Sequence, residues 1–237
     1  MIWLVSYPRS GNTFTRNVFY HVYGLASGAY SLENDQRLDP DTGEQYPIIK
    51  THLLPTHVPL QVDDIIVYLV RDGRDSLVSE AHHRRDIVVP GSDWHENLEE
   101  AITAPPDQPC GNWSSNVNSW SKQAHLTIHF EQLIKDPIGQ IEKLRELTKL
   151  PAPQIDQLPN FELQKNGGCR YGGKKLDLFF RKGEIGSWKK EMPKKLQWLF
   201  LKFHGDTLSS LGYNSQLSST LLRTLYYNFL YRKRFNH

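Results

Sequence analysis

Cysteine is scarce. The 237 residues contain two, Cys110 and Cys169, with no CxxC pair and no zinc-type spacing. A disulfide scaffold and a zinc ribbon are therefore excluded, and a reducing compartment is the expectation. Long apolar runs are missing too. No stretch approaches the ~20 apolar residues of a membrane span. The opening MIWLVSYPRSGNTF breaks after Val5, short of the roughly 7–15 apolar residues of a secretory signal. A soluble, cytoplasmic protein is expected. Neither charge sign is in excess: 28 Lys+Arg stand against 26 Asp+Glu, a formal net charge of +2. This excludes a polybasic nucleic-acid coat and an acidic disordered chain. Repeats, low-complexity tracts and linkers are absent, so residues 1–237 read as one domain. At 38% hydrophobic residues the chain can bury a core without metal or disulfide staples.

Short apolar, β-branched runs alternate with helical patterns. That predicts an α/β fold of three layers, a mostly parallel central sheet flanked by helices. Ile2–Ser6, Ile48–Thr51, Ile65–Val70 and 126–130 read as strands. Asn12–Tyr23, 73–85, 137–150 and 193–211 read as helices, the last closed by Gly212. Two stretches, 86–112 and 166–190, resist assignment. Long irregular segments of this kind often form lids or binding loops.

Three constellations carry chemistry. The first is Tyr7-Pro8-Arg9-Ser10-Gly11-Asn12-Thr13, joining a buried strand to a helix. Helix-start N–H groups lack internal partners and, with the helix dipole, attract anions. Gly11 permits close backbone approach, Arg9 adds charge, and Ser10, Asn12 and Thr13 add donors. The architecture is that of a P-loop, although GxxxxGK[ST] is absent. An ordinary turn capped by Ser or Asn is the plain alternative. The second is Arg71-Asp72-Gly73-Arg74-Asp75 at the end of the strongest strand, followed by Ser79. Arg71 lies where ligands bind in open α/β sheets. Arg71 and Ser79 can clamp one phosphate, while Asp72 and Asp75 read as helix caps. A surface salt-bridge cluster is the alternative. The third is Arg181-Lys182-Gly183-Glu184-Ile185-Gly186-Ser187-Trp188, cationic and glycine-punctuated, which suits an anion but also fits a solvated charged face.

In this order, the three motifs resemble the signature of the sulfotransferases that use 3′-phosphoadenosine 5′-phosphosulfate (PAPS) and release adenosine 3′,5′-bisphosphate (PAP). The resemblance spans about residues 2–213 and implies a P-loop-like nucleotide-binding fold. It implies that Arg9, Ser10, Gly11, Asn12 and Thr13 cradle the 5′-phosphosulfate, with Arg9 where many relatives have Lys. Phe14 stands where cytosolic relatives have a Trp near the adenine. Arg71 and Ser79 would hold the 3′-phosphate, with Arg181, Lys182 and Gly183 closing on it. Phe161 resembles the aromatic that stacks on adenine. Phe130 opens a segment that usually begins with Tyr. Lys50-Thr51-His52 resembles the family's catalytic Lys-Thr-His. It makes His52, one of ten histidines, the general base, with Arg9 and Lys50 stabilising charge on the leaving oxygen.

The implied reaction is in-line sulfuryl transfer to a hydroxyl (or amine), with PAPS as co-substrate and no metal. Adjacent His82 and His83 make a poor metal pair without a third ligand; they line the acceptor cleft or lie on the surface. Segment 86–112, with Trp94, His95 and then Trp113, is expected to form the acceptor lid. The acceptor is expected to be a small molecule, a sugar or a lipid-linked hydroxyl, with no nucleic-acid partner. Residues 217–237 read as a basic amphipathic helix, either packed on the domain or touching an anionic membrane. Two rivals remain at this level. One is a P-loop kinase using ATP, which lacks its Walker lysine here. The other is a non-catalytic nucleotide- or anion-binding module.

Overall fold

Five consecutive buried residues, Ile2–Ser6, form β1. A strand buried at every position needs cover on both faces, which is the condition of a parallel sheet between helical layers. The computed structural model describes residues 1–160, 163, 169–172 and 183–214. Among them, β1 is followed by α1 (Asn12–Tyr23), β2 (Ser27–Tyr30), β3 (Asp35–Gln36), β4 (Ile48–Thr51) and β5 (Ile65–Val70). Then come α2 (Gly73–His83), α3 (Trp94–Thr103), α4 (Trp113–Trp120), β6 (Leu126–His129), α5 (Phe130–Leu133) and α6 (Pro137–Glu142). Short helix α7 (Trp188–Glu191) leads into α8 (Lys194–Ser210).

The six strands lie in the order β3-β2-β4-β1-β5-β6. All neighbours are parallel except β2 with β3. Alternate side chains feed two cores. Trp3, Val5, Ile49, Tyr68 and Val70 pack with residues of α2, α3, α4 and α8. Ile2, Leu4, Ile48, Val67 and Leu69 pack with residues of α1, α5 and α6. This is the expected three-layer α/β architecture. From β1 the chain goes out to β2 and the edge strand β3, returns as β4 between β2 and β1, and then adds β5 and β6 on the other side of β1. The carboxyl ends of β1, β4 and β5 therefore flank the point where strand order reverses, and ligands of open α/β sheets bind at such a point.

Several expectations need correction. Segment 86–112 is not wholly irregular, since it contains α3, capped by the Asp93 side chain on Glu96 N–H. Helix 73–85 ends at His83 and continues as a π-helical turn over Arg84–Val88. Strand 126–130 stops at His129, because Phe130 already opens α5. Helix 137–150 tightens at Lys143–Glu146 into a 3-10 turn. Strands β2 and β3 were not foreseen. Phe161, Arg181, Lys182 and the 217–237 helix lie outside the described residues.

Candidate active site

The first motif leaves β1 and turns sharply into α1. Arg9 and Gly11 both adopt left-handed backbone, with φ of 62° and 95°. For Arg9 this costs on the order of 1–2 kcal/mol, which the surrounding fold must supply. A Cβ on Gly11 would lie 2.5 Å from the Phe130 ring, so both φ and space require glycine there. Helices α2, α3, α4 and α6 each begin under a side-chain cap from Asp72, Asp93, Asn112 and Asp136. Helix α1 begins at Gly11 with no side-chain cap, so neither Ser nor Asn caps it. Its first N–H groups, with the positive end of the helix dipole, suit an anion. The Asn12 side chain does not join them. Its Nδ2 donates to Leu4 O and Ser6 Oγ, each at 3.2 Å. Ser10 is buried, its Oγ 3.4 Å from Ser76 Oγ. Thr13 is half-buried, and Phe14 packs against the α1 side of the core.

The second motif closes on the first. Arg9 Nε donates to Ser79 Oγ at 3.1 Å. Arg71 Nη1 donates to Arg9 O at 3.0 Å, and its Nη2 to Glu184 O at 2.9 Å. One guanidinium thus ties the first motif to the segment after Gly183. The Phe130 ring lies 4.3 Å from the same guanidinium, a cation–π contact that fixes its plane. Asp72 does cap α2, accepting from Arg74 N–H, and also pairs with Arg74 in a buried bridge. Asp75 is not a cap. Its carboxylate accepts from Gly186 N–H, Ser187 Oγ and Trp188 N–H, at 2.6, 3.1 and 2.9 Å. It therefore pins the third motif onto α2. The cluster is buried, which removes the surface salt-bridge alternative.

His52 follows β4. Its Nδ1 lies 2.8 Å from Ser6 O and 3.2 Å from Ser6 Oγ. A carbonyl oxygen only accepts, so Nδ1 carries the proton and Nε2 keeps its lone pair. Burial, then the nearby Lys50 charge, holds the imidazole well below its ordinary pKa. The ring is therefore neutral near pH 7. Lys50 itself is pushed down to about 8 by burial first and by Arg16 second. Two residues missed in the sequence hold this strand end. Asn116 Nδ2 donates to His52 O at 3.2 Å and to Cys110 O at 2.9 Å, and its Oδ1 accepts from Tyr68 OH. Trp120 Nε1 donates to Leu53 O at 2.9 Å. Their signal was visible: Trp113, Asn116, Val117 and Trp120 form one helix face, and a polar residue on it needs a partner.

A cleft of about 460 Å³ opens between Tyr7, the end of α2 at Glu80, Arg84, and residues of α3 and the coil after it, among them Asn97, Glu100 and Gln108. Segment 86–112 does wall this cleft. Trp113 takes no part, being fully buried against Phe200 and His204. Trp94 stacks on His82, whose Nε2 lies 2.7 Å from Glu191 Oε2. His82 is thereby held on the α7 side. His83, half-buried and near Arg9, is lowered to about 4 mainly by burial. Among the described residues, no group of three or more His, Cys, Asp and Glu is placed to hold a metal. No described helix is long and apolar enough to cross a membrane.

An uncapped helix start at the sheet's switch point, with a neutral imidazole at the neighbouring strand end, fits the P-loop-like class of anion-binding α/β folds. The sulfotransferase domain family matches residues 1–212, and the chain belongs to that family, the PAPS-dependent sulfotransferases of cytosolic type. Mouse sulfotransferase 1E1 is 26% identical over 83% of this chain and 79% of its own length. The crystal structure of mouse sulfotransferase SULT7A1 complexed with PAP superposes with a TM-score of 0.68 at 23% identity, covering 95% of this chain and 88% of that one. Retinol dehydratase in complex with androsterone and PAP gives 0.62 at 21% identity, covering 87% and 80%.

Proposed function

We propose that this sulfotransferase moves the sulfuryl group of PAPS to a hydroxyl (or amine) of a small acceptor by in-line displacement, with His52 as general base. The observation that carries the reading is the Arg71 guanidinium, bonded at once to Arg9 O and Glu184 O. It brings three segments, distant in sequence, to one point at the sheet edge. The backbone amides that start α1, with Arg9, Ser10, Gly11, Asn12 and Thr13, hold the 5′-phosphosulfate. Asn12 contributes through its backbone only. Arg71 and Ser79 hold the 3′-phosphate, assisted by Gly183 and by Arg181 and Lys182. Phe14 and Phe161 border the adenine.

His52 Nε2 takes the proton of the acceptor oxygen as that oxygen bonds to sulfur. The bond from sulfur to the bridging oxygen breaks, and its electron pair leaves on PAP. Arg9 and Lys50 stabilise the charge gathering there. A sulfuryl group carries less charge than a phosphoryl group, so positioning and fixed cations suffice without a metal clamp. The retinol dehydratase structures are complexes with androsterone or retinol and PAP, which supports a small-molecule acceptor, and the relative named cytosolic sulfotransferase 1 of zebrafish Danio rerio supports a cytoplasmic enzyme. A sugar or lipid-linked hydroxyl belongs to the same proposal.

Radiolabelled PAPS incubated with the protein and a metal-chelated cell extract tests this. Label should reach an acceptor with wild type and hardly at all with His52→Ala. Label that never leaves the donor in either case overturns the reading in favour of a non-catalytic binding module.

A further inference from the structure

Asn12 opens α1, yet its side chain turns away from the other donors of the helix start. Its Nδ2 reaches back to β1, donating to Leu4 O and to Ser6 Oγ, each at 3.2 Å. Its Oδ1 is buried with no partner. Ser6 and Asn12 are both buried. An unmet buried acceptor is costly, so this pose is kept at the expense of stability. On its other side Ser6 meets His52, whose Nδ1 lies 2.8 Å from Ser6 O and 3.2 Å from Ser6 Oγ. Because Nδ1 carries the proton, the hydroxyl oxygen faces an N–H and can only accept from it. Asn12 Nδ2 fills the other lone pair of that oxygen and holds the hydroxyl in place. A chain of contacts thus runs from Asn12 Nδ2 through Ser6 Oγ to the imidazole.

The ring needs such support once it charges. The charges that reach it come from Lys50 on β4, Arg9 in the loop and Arg16 on α1, and all are cationic. Helix α4 adds only the neutral Asn116 amide, on the His52 carbonyl. No carboxylate pairs with the ring among the described residues. An imidazolium formed there has the two Ser6 oxygens as its hydrogen-bonding partners at Nδ1. We infer that Ser6 and Asn12 are positioning residues for proton transfer: Ser6 Oγ, held by Asn12 Nδ2, fixes the imidazole plane and steadies the imidazolium as Nε2 gains its proton. The inference rests on His52 being the base, as proposed above, and gives the Asn12 side chain a task apart from the anion held by the helix-start amides.

Nuclear magnetic resonance on the ligand-free protein with 15N-labelled histidine gives the first test, since the ring nitrogens report tautomer and charge. The His52 signals are those lost in His52→Ala. Wild type should carry its proton on Nδ1 and stay neutral well below the ordinary range of about 6.5. Asn12→Asp places a carboxylate behind the Ser6 hydroxyl and should raise the pH at which the ring charges by about one unit or more. Ser6→Ala removes the hydroxyl, keeps the backbone oxygen, and should leave the tautomer in place while the ring charges at lower pH than in wild type. A merely structural role would not drive the two variants in opposite directions. A ring unmoved in Asn12→Asp, or one that charges at higher pH in both variants, overturns the inference. Transfer of label from PAPS to the cell extract gives the second test. Ser6→Ala should transfer about tenfold more slowly, the scale of one hydrogen bond to a charged group, with PAP affinity kept in calorimetry. A wild-type rate for Ser6→Ala sinks this inference alone, whereas a wild-type rate for His52→Ala sinks the base reading and this inference with it.

Discussion

His52 Nδ1 donates to the backbone oxygen of Ser6 across 2.8 Å. That one bond decides which ring nitrogen can act as a base. β1 supplies the oxygen and β4 the imidazole, so sheet register (Val5 opposite Thr51) sets the tautomer. His52→Ala should lower kcat by ~10²–10⁴, the usual value of a general base, with PAP affinity retained. Asn116→Ala frees the His52 carbonyl and should lower kcat while leaving PAP binding in place. Steady-state kinetics with parallel PAP titration checks both. Wild-type turnover by His52→Ala removes the base assignment.

The pH profile follows from the two perturbed groups. His52 is depressed, so the basic form persists as pH falls through the ordinary imidazole range of about 6.5. kcat/KM should therefore hold steady down to that range and drop only below it. Lys50 is depressed to about 8 and loses its charge above that value. If its charge stabilises the leaving oxygen, kcat/KM falls on the alkaline side near 8. Lys50→Arg should move that limb to higher pH. An alkaline limb that stays put in the variant assigns it to another group.

Arg71→Ala removes the guanidinium that joins the motifs. A charge-assisted contact left unmade costs about 2–3 kcal/mol, or roughly 30- to 150-fold in affinity. PAP binding should weaken by that much. An unchanged dissociation constant contradicts the 3′-phosphate role.

Asp75→Ala strips three donors in the third motif of their acceptor. Each buried donor left unsatisfied costs about 1–3 kcal/mol. The variant should melt earlier, bind PAP more weakly and be cut faster by protease between 180 and 190. Ser187→Ala, which removes only the 3.1 Å bond, should show a smaller effect in the same direction.

Strands β1, β4 and β5 were legible because parallel strands buried on both faces are written as short β-branched runs. The motifs at their ends were legible for the same reason, since each follows directly on such a run. β2 was not, because Ser27-Gly28-Ala29-Tyr30 carries no β-branched residue and becomes a strand only by pairing with β4. Asp75 looked like a first-turn helix acid. Its partners lie more than a hundred residues on, and local spacing cannot show them. Trp113 was misread as part of the acceptor lid, since its neighbours are Gly, Pro and Asn. The helix face it shares with Val117 and Trp120 was the better guide.

PAP binding without divalent metal is the most direct test that three separate segments grip one doubly phosphorylated adenosine. At a hundred times its dissociation constant a ligand adds ~2.7 kcal/mol of stability. In chelator, PAP should raise the melting temperature by several degrees and ATP by much less. Equal shifts from the two nucleotides, or none from PAP, would contradict the account.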